Sequence, residues 1–65
     1  MSIPNYGYRA AWSSEDQAYV ATCVELEGLS GLGDTAQEAL SELCVAVELA
    51  IEEFTESGIE IPKPF

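Results

Sequence analysis

The 65-residue sequence contains no histidine and only two basic residues, Arg9 and Lys63, against twelve Asp and Glu. Without histidine, neither a Ser-His or Cys-His catalytic pair nor a His-ligated metal site can be built. Binding to nucleic acids and to membrane surfaces depends on clustered cations, so neither is expected as a partner. The short length predicts that residues 1–65 form a single domain.

Long apolar runs and a disulfide framework are missing as well. No stretch of about 18 apolar residues could span a bilayer, and residues 1–5 lack the basic and apolar segments of a signal peptide. Cys23 and Cys44 are interpreted as buried thiols in a reducing compartment, with a disulfide bridge as the less favoured alternative. The sequence therefore predicts a cytoplasmic protein, and its 48% hydrophobic content predicts a folded one.

The first half of the chain has the pattern of β-strands. Aromatic and β-branched residues at 6–12 and 18–24 flank the polar turn 13–17, which predicts an antiparallel hairpin. A weaker third strand is predicted at 29–32, where Gly31 indicates either a close backbone approach or a bulge. The alternation at 59–61 predicts a short fourth strand that ends at Pro62.

One long helix is predicted at 36–57. Thr35 and Glu38 form a capping box at its start, and Gly58 supplies the left-handed residue that ends it. The element order β-β-β-α-β predicts the α+β class, with a small, mostly antiparallel sheet covered on one face by the helix. At about 100° per residue, one apolar stripe faces the sheet. Its members are Ala36, Leu40, Leu43, Cys44, Val47, Ile51 and Phe54.

The opposite side of the helix is acidic, and two apolar residues project among its glutamates. Scattered apolar residues are common on protein surfaces. Alternatively, an apolar strip with an acidic rim binds a partner or a second copy, and a small domain often gains stability by oligomerising. The candidate partner-binding residues are Val45, Leu49, Glu38, Glu42 and Glu52.

The sequence predicts neither an enzyme nor a metal or cofactor site. Glu48, Glu52 and Glu56 share one helix face and could hold a hard cation, but such sites usually add loop or carbonyl ligands. A solvated acidic face is therefore the favoured interpretation. The serine and threonine hydroxyls have no base to activate them, and no cation stands near Cys23 in the sequence.

Residues 8–64 resemble the N-terminal domain of the HicB-type antitoxins. That family reads Tyr-Val-Ala, then Pro-Glu-Leu-Pro-Gly, then Gly-Asp-Thr-x-x-Glu-Ala-Leu, and closes on Gly-x-x-Ile-Pro-x-Pro. The matching segments here are Tyr19-Val20-Ala21, Glu25-Leu26-Glu27-Gly28, Gly33-Asp34-Thr35-Ala36-Gln37-Glu38-Ala39-Leu40 and Gly58-Ile59-Glu60-Ile61-Pro62-Lys63-Pro64. Val24 and Glu27 stand where the family usually has prolines, and Gly31 where alanine is commoner.

The resemblance implies a partial ribonuclease-H-like fold with strand order 3-2-1-4. It also implies an antitoxin that neutralises a HicA toxin, a small basic protein that cuts mRNA and uses a histidine. A chain of net charge −10 suits a basic partner. Nuclease activity is not implied, because the first predicted strand has no metal-binding carboxylate. The chain ends at Phe65 without the DNA-binding domain of many HicB proteins, so it is expected to be a stand-alone member.

Two alternatives stay open. One is an orphan homo-oligomeric domain of the HicB type with a structural or small-ligand role and no toxin. The other is a carboxylate-based hydrolase or nuclease, which would bind divalent metal ions.

Overall fold

A computed structural model describes residues 5–63 as three strands followed by one helix. Strands β1 (Tyr8–Ser13), β2 (Ala18–Cys23) and β3 (Ser30–Gly33) precede helix α1 (Ala36–Ser57). The strands form one antiparallel sheet in the order β1-β2-β3, and α1 packs against one face of it. The predicted α+β class is confirmed.

The strand register decides which side chains meet the helix. Ala10 pairs with Ala21, and Ala21 pairs with Gly31, so these three residues lie on one face of the sheet. Ala21 is completely buried there against α1. The core as a whole consists of Tyr6, Ala21, Cys23, Leu26, Ala39, Leu43 and Val47.

Two glycines allow β3 to lie directly against the backbone of α1. A Cβ atom at Gly31 would overlap the carbonyl oxygen of Ala39 and the backbone nitrogen of Leu43. A Cβ atom at Gly33 would lie 2.6 Å from the backbone nitrogen of Ala39. Gly31 therefore marks a close backbone approach, one of the two interpretations that the sequence left open.

The buried stripe of α1 differs in part from the predicted one. Ala39, which the prediction left out, is fully buried because it faces the glycines of β3. Of the predicted stripe, Leu43 and Val47 are fully buried. The other members are only half-buried, and three of them pack against the core: Leu40, Ile51 and Phe54. Cys23 is buried as predicted, and both cysteines are free thiols.

The predicted bounds of α1 are confirmed, together with its caps. The Thr35 hydroxyl accepts a hydrogen bond from the Glu38 N–H at 3.1 Å. The Glu38 carboxylate accepts from the N–H of Asp34 at 3.0 Å. At the other end, Gly58 has a φ of 73° and donates its N–H to the carbonyls of Phe54 and Thr55. The Ile59 N–H also donates to the Phe54 carbonyl, at 2.8 Å, which completes a Schellman-type end.

The fourth strand predicted at 59–61 is absent from the described residues, so that prediction and the order 3-2-1-4 are wrong for 5–63. Side chains hold the tail instead: Ile61 packs against the core, and the Tyr6 hydroxyl donates to the Pro62 carbonyl. The segment 59–61 has only three residues between Gly58, which ends α1, and Pro62, so it is too short to form a row of hydrogen bonds with a neighbouring strand. Pro62 also has no N–H to donate. Pro64, the last residue of the resembling tail, lies outside the described residues.

Candidate functional site

The outer face of α1 is defined here by Glu38, Glu42, Val45, Leu49 and Glu52, and at its start Glu38 and Glu42 flank the edge of β3. All five predicted partner-binding residues are exposed there. Val45 is 55% exposed and Leu49 is 61% exposed, although both side chains are apolar. At about 1.5 Å of rise per residue, this face extends over about 21 Å from Glu38 to Glu52. The fold thus gathers the five residues into one continuous surface.

Charge on this helix is unbalanced. Glu38 and Glu42 are spaced i,i+4, as are Glu48, Glu52 and Glu56, and like charges at that spacing cost about 0.2–0.5 kcal/mol per pair. The last turn contains no basic residue, so its carboxylates also oppose the negative end of the helix dipole. A cationic partner would relieve both penalties.

Among the residues that the structure describes, no helix combines the length and apolar character that crossing a bilayer requires.

A shallow depression of about 420 Å³ lies where the start of α1 meets the edge of β3. It is lined by Leu32, Thr35, Gln37, Glu38, Ser41 and Glu42. Both glutamates of this lining belong to the outer face, so the depression continues that face toward the sheet edge. Leu32 is 54% exposed and was not a predicted site residue. Gly31 and Gly33 both face α1, and successive residues of a strand point to opposite faces, so Leu32 between them is directed away from the core. This alternation is the sequence signal that could have identified Leu32 as an exposed residue.

The side of the sheet opposite α1 is a second candidate surface that the sequence analysis missed. We define the open sheet face by Arg9, Ala11, Val20, Thr22 and Leu32. These residues alternate along the strands with those that face α1, and they pair across them. No element of residues 5–63 covers this face. The molecule therefore offers two exposed surfaces, one acidic and one formed by the strands.

Two tyrosines near the core, Tyr6 and Tyr8, have perturbed ionisation. Burial, followed by the nearby Cys23, raises the pKa of both Tyr6 and Tyr8 above the usual tyrosine value. Both phenols therefore stay neutral near pH 7 and act as hydrogen-bond donors or acceptors. Within residues 5–63, no three Asp, Glu or Cys side chains are grouped closely enough to hold a metal ion. That includes Glu48, Glu52 and Glu56, which spread along the helix.

The chain is similar to a protein from Synechocystis sp., UPF0150 protein ssl0738, with 42% identity over 41 residues. The aligned segment covers 63% of this chain and 57% of that protein. The chain therefore matches a little over half the length of this relative. No family model matches the chain, and no solved structure matches it.

Proposed function

We propose that the chain is a non-catalytic, cytoplasmic, antitoxin-like protein that masks a small basic RNA-cleaving toxin of the HicA type. The toxin would bind to the outer face of α1. The observation that carries this proposal is the exposure of Val45 (55%) and Leu49 (61%) among glutamates. The similarity to a UPF0150 protein supports it, because UPF0150 is a family related to HicB.

An apolar centre with an acidic rim is complementary to a protein that binds RNA. The basic residues that such a toxin offers to phosphates would meet the carboxylates of Glu38, Glu42 and Glu52 instead. The net charge of −10 would steer the two chains together. Val45 and Leu49 would supply affinity, because apolar residues at the centre of an interface lose their contact with water.

The test requires a HicA-type toxin from the chain's own host. A tagged copy of the chain is used to recover bound proteins from host cells, and mass spectrometry identifies them. If a basic, histidine-containing protein is recovered, it is purified, and calorimetry measures its affinity for the chain. We expect Val45→Ser combined with Leu49→Ser to weaken binding by about tenfold or more, since each lost apolar contact costs about 1 kcal/mol. Rescue of growth from the co-expressed toxin should be lost in parallel.

Ile59→Ser is the matched control, because Ile59 is 56% exposed but lies outside the outer face of α1. It should leave the affinity for the toxin unchanged. Circular dichroism should show that all these variants stay folded.

Charge reversal tests the rim separately. Glu42→Lys combined with Glu52→Lys should slow association and reduce its dependence on salt, whereas Glu15→Lys, in the turn between β1 and β2, should have little effect. Equal toxin binding by all variants would contradict the proposed surface. Recovery of nothing but the chain itself would contradict the antitoxin role and favour the orphan homo-oligomer. Turnover of RNA by the purified chain would refute a non-catalytic role.

A further inference from the structure

The side of β3 that points away from β2, called here the β3 edge, pairs with no other strand of residues 5–63. An edge strand presents backbone N–H and C=O groups that a strand of another chain can pair with. Charged residues and proline commonly protect such edges. β3 has the sequence Ser-Gly-Leu-Gly and contains neither. Its outward backbone groups are therefore accessible to a further strand.

The strand register shows which backbone groups point outward. Val24 donates its N–H to the Gly7 carbonyl at 2.9 Å, and the two residues stand opposite each other when the β1–β2 register is continued by one pair. Because backbone direction alternates along a strand, Ala21 directs its N–H and C=O toward β3. The residue that pairs with Ala21 lies between Ser30 and Leu32. Ser30 and Leu32 therefore direct their backbone groups away from β2, toward the β3 edge.

The depression of about 420 Å³ lies beside this edge. Leu32 belongs to β3, and the exposed residues Gln37, Glu38, Ser41 and Glu42 line the depression from α1. A strand placed here would bond to β3 and would also touch the helix. At about 3.4 Å per residue, a four-residue strand such as β3 pairs with a segment of about four to six residues.

We infer that an extended, basic segment of a partner protein binds in this depression as a fourth strand, antiparallel to β3. The charge of the lining selects this occupant, because it includes the carboxylates of Glu38 and Glu42 and no basic residue. A second copy of the chain is disfavoured by its own net charge of −10. The inference goes beyond the proposed function, since it requires no toxin and involves neither Val45 nor Leu49.

The geometry also specifies the sequence pattern of the segment. Directly paired residues of antiparallel strands point to the same face of the sheet. Residues of the segment opposite Ser30 and Leu32 would therefore lie beside the exposed Leu32 side chain, where apolar side chains fit. The residues between them would project toward α1, where lysine or arginine would meet Glu38 and Glu42. Alternating apolar and cationic residues are the expected pattern.

A blocked hexapeptide of alternating valine and lysine tests the inference by nuclear magnetic resonance titration of the full chain. The amide signals of Ser30 and Leu32 should shift, and amide exchange at Leu32 should slow at least tenfold, because its N–H gains a bonding partner. Added salt should weaken binding. The same peptide with glutamate in place of lysine should not bind.

Methylated peptides test the strand pairing without altering the protein. In the antiparallel arrangement the valine N–H groups donate to β3, whereas the lysine N–H groups point to solvent. N-methylation of the valines should therefore weaken binding at least tenfold, and N-methylation of the lysines should leave it nearly unchanged.

Variants of the chain test the position of the segment. Glu42→Lys should weaken peptide binding at least threefold, whereas Glu52→Lys, also exposed on α1 but outside the depression, should not. Val45→Ser combined with Leu49→Ser should leave it unchanged, which separates this inference from the proposed function. The inference is overturned by unaltered exchange at Leu32, by equal effects of the two methylated peptides, or by equal effects of Glu42→Lys and Glu52→Lys. Protection of Leu32 that rises with the concentration of the chain alone would assign the edge to a second copy and would also overturn it.

Discussion

Replacing Gly31 by alanine should destabilise the fold, although it adds only one methyl group to β3. The new Cβ atom would overlap the Ala39 carbonyl oxygen and the Leu43 nitrogen, and would lie 3.0 Å from the Glu42 carbonyl carbon. All three are backbone atoms of α1, so no side chain can rotate away and the whole helix must shift. Overpacking of this kind costs about 1–3 kcal/mol.

Gly28→Ala and Gly58→Ala are the controls for this steric effect. They show what the same substitution does to backbone entropy and backbone strain when the new methyl group meets no other atom. A Cβ atom added at Gly28 would meet no other atom within 4 Å, and Gly28 has no positive φ. Gly28→Ala should therefore be neutral or stabilising by up to about 1 kcal/mol. Gly58 also has open space but a φ of 73°. Gly58→Ala should therefore cost about 1–2 kcal/mol through backbone strain alone.

Urea unfolding measured by circular dichroism gives the three free energies. With a slope of about 1 kcal/mol per molar for a chain of this size, Gly31→Ala should lower the midpoint by about 1–3 M. Amide chemical shifts along α1 should change in that variant, because the helix has to move. Unaltered stability in Gly31→Ala, with Gly28→Ala behaving identically, would refute the direct contact between α1 and β3.

Other perturbations address the core, the cap and the tail. Leu43→Ala should reduce the free energy of unfolding by about 2–5 kcal/mol in urea titrations, because this side chain is fully buried; a loss under about 1 kcal/mol would contradict its central position. Thr35→Ala should cost about 1 kcal/mol in thermal unfolding because the N-cap bond is lost, whereas Thr35→Ser should retain most of the stability. Tyr6→Phe removes the donor to the Pro62 carbonyl and should cost about 0.5–1.5 kcal/mol, with faster amide exchange in the tail. Because burial raises the pKa of Tyr6 in the folded chain, its contribution is fully present below the unfolded value of 10.0 and is lost as pH rises through the folded pKa. Stability should therefore fall above about pH 10, and less steeply in Tyr6→Phe; identical alkaline profiles would argue against this role of Tyr6.

The candidate surface could be predicted in part because helical geometry is regular. Once α1 is placed, the exposure of Val45 and Leu49 follows from their angular positions. The open sheet face could not be recognised in the same way. Alternation along β1 and β2 shows that two faces exist, but the packing of α1 decides which face stays open.

What the amino-acid sequence determined by itself is local. Thr35, Glu38 and Gly58 set the ends of α1 because capping depends on side chains and φ values within a few residues. The hairpin of β1 and β2 follows from a short polar turn between two strand-forming segments. Both features need no distant partner, so both were predictable.

What the tertiary structure alone decided depends on neighbours far away in the chain. Ala39 carries little hydrophobic signal, yet it is completely buried because Gly31 and Gly33 admit the helix backbone. The tail at 59–61 alternates like a strand, yet Tyr6 and the core hold it by side-chain contacts. Periodicity gives the direction of a side chain, whereas its burial depends on which segment packs against it.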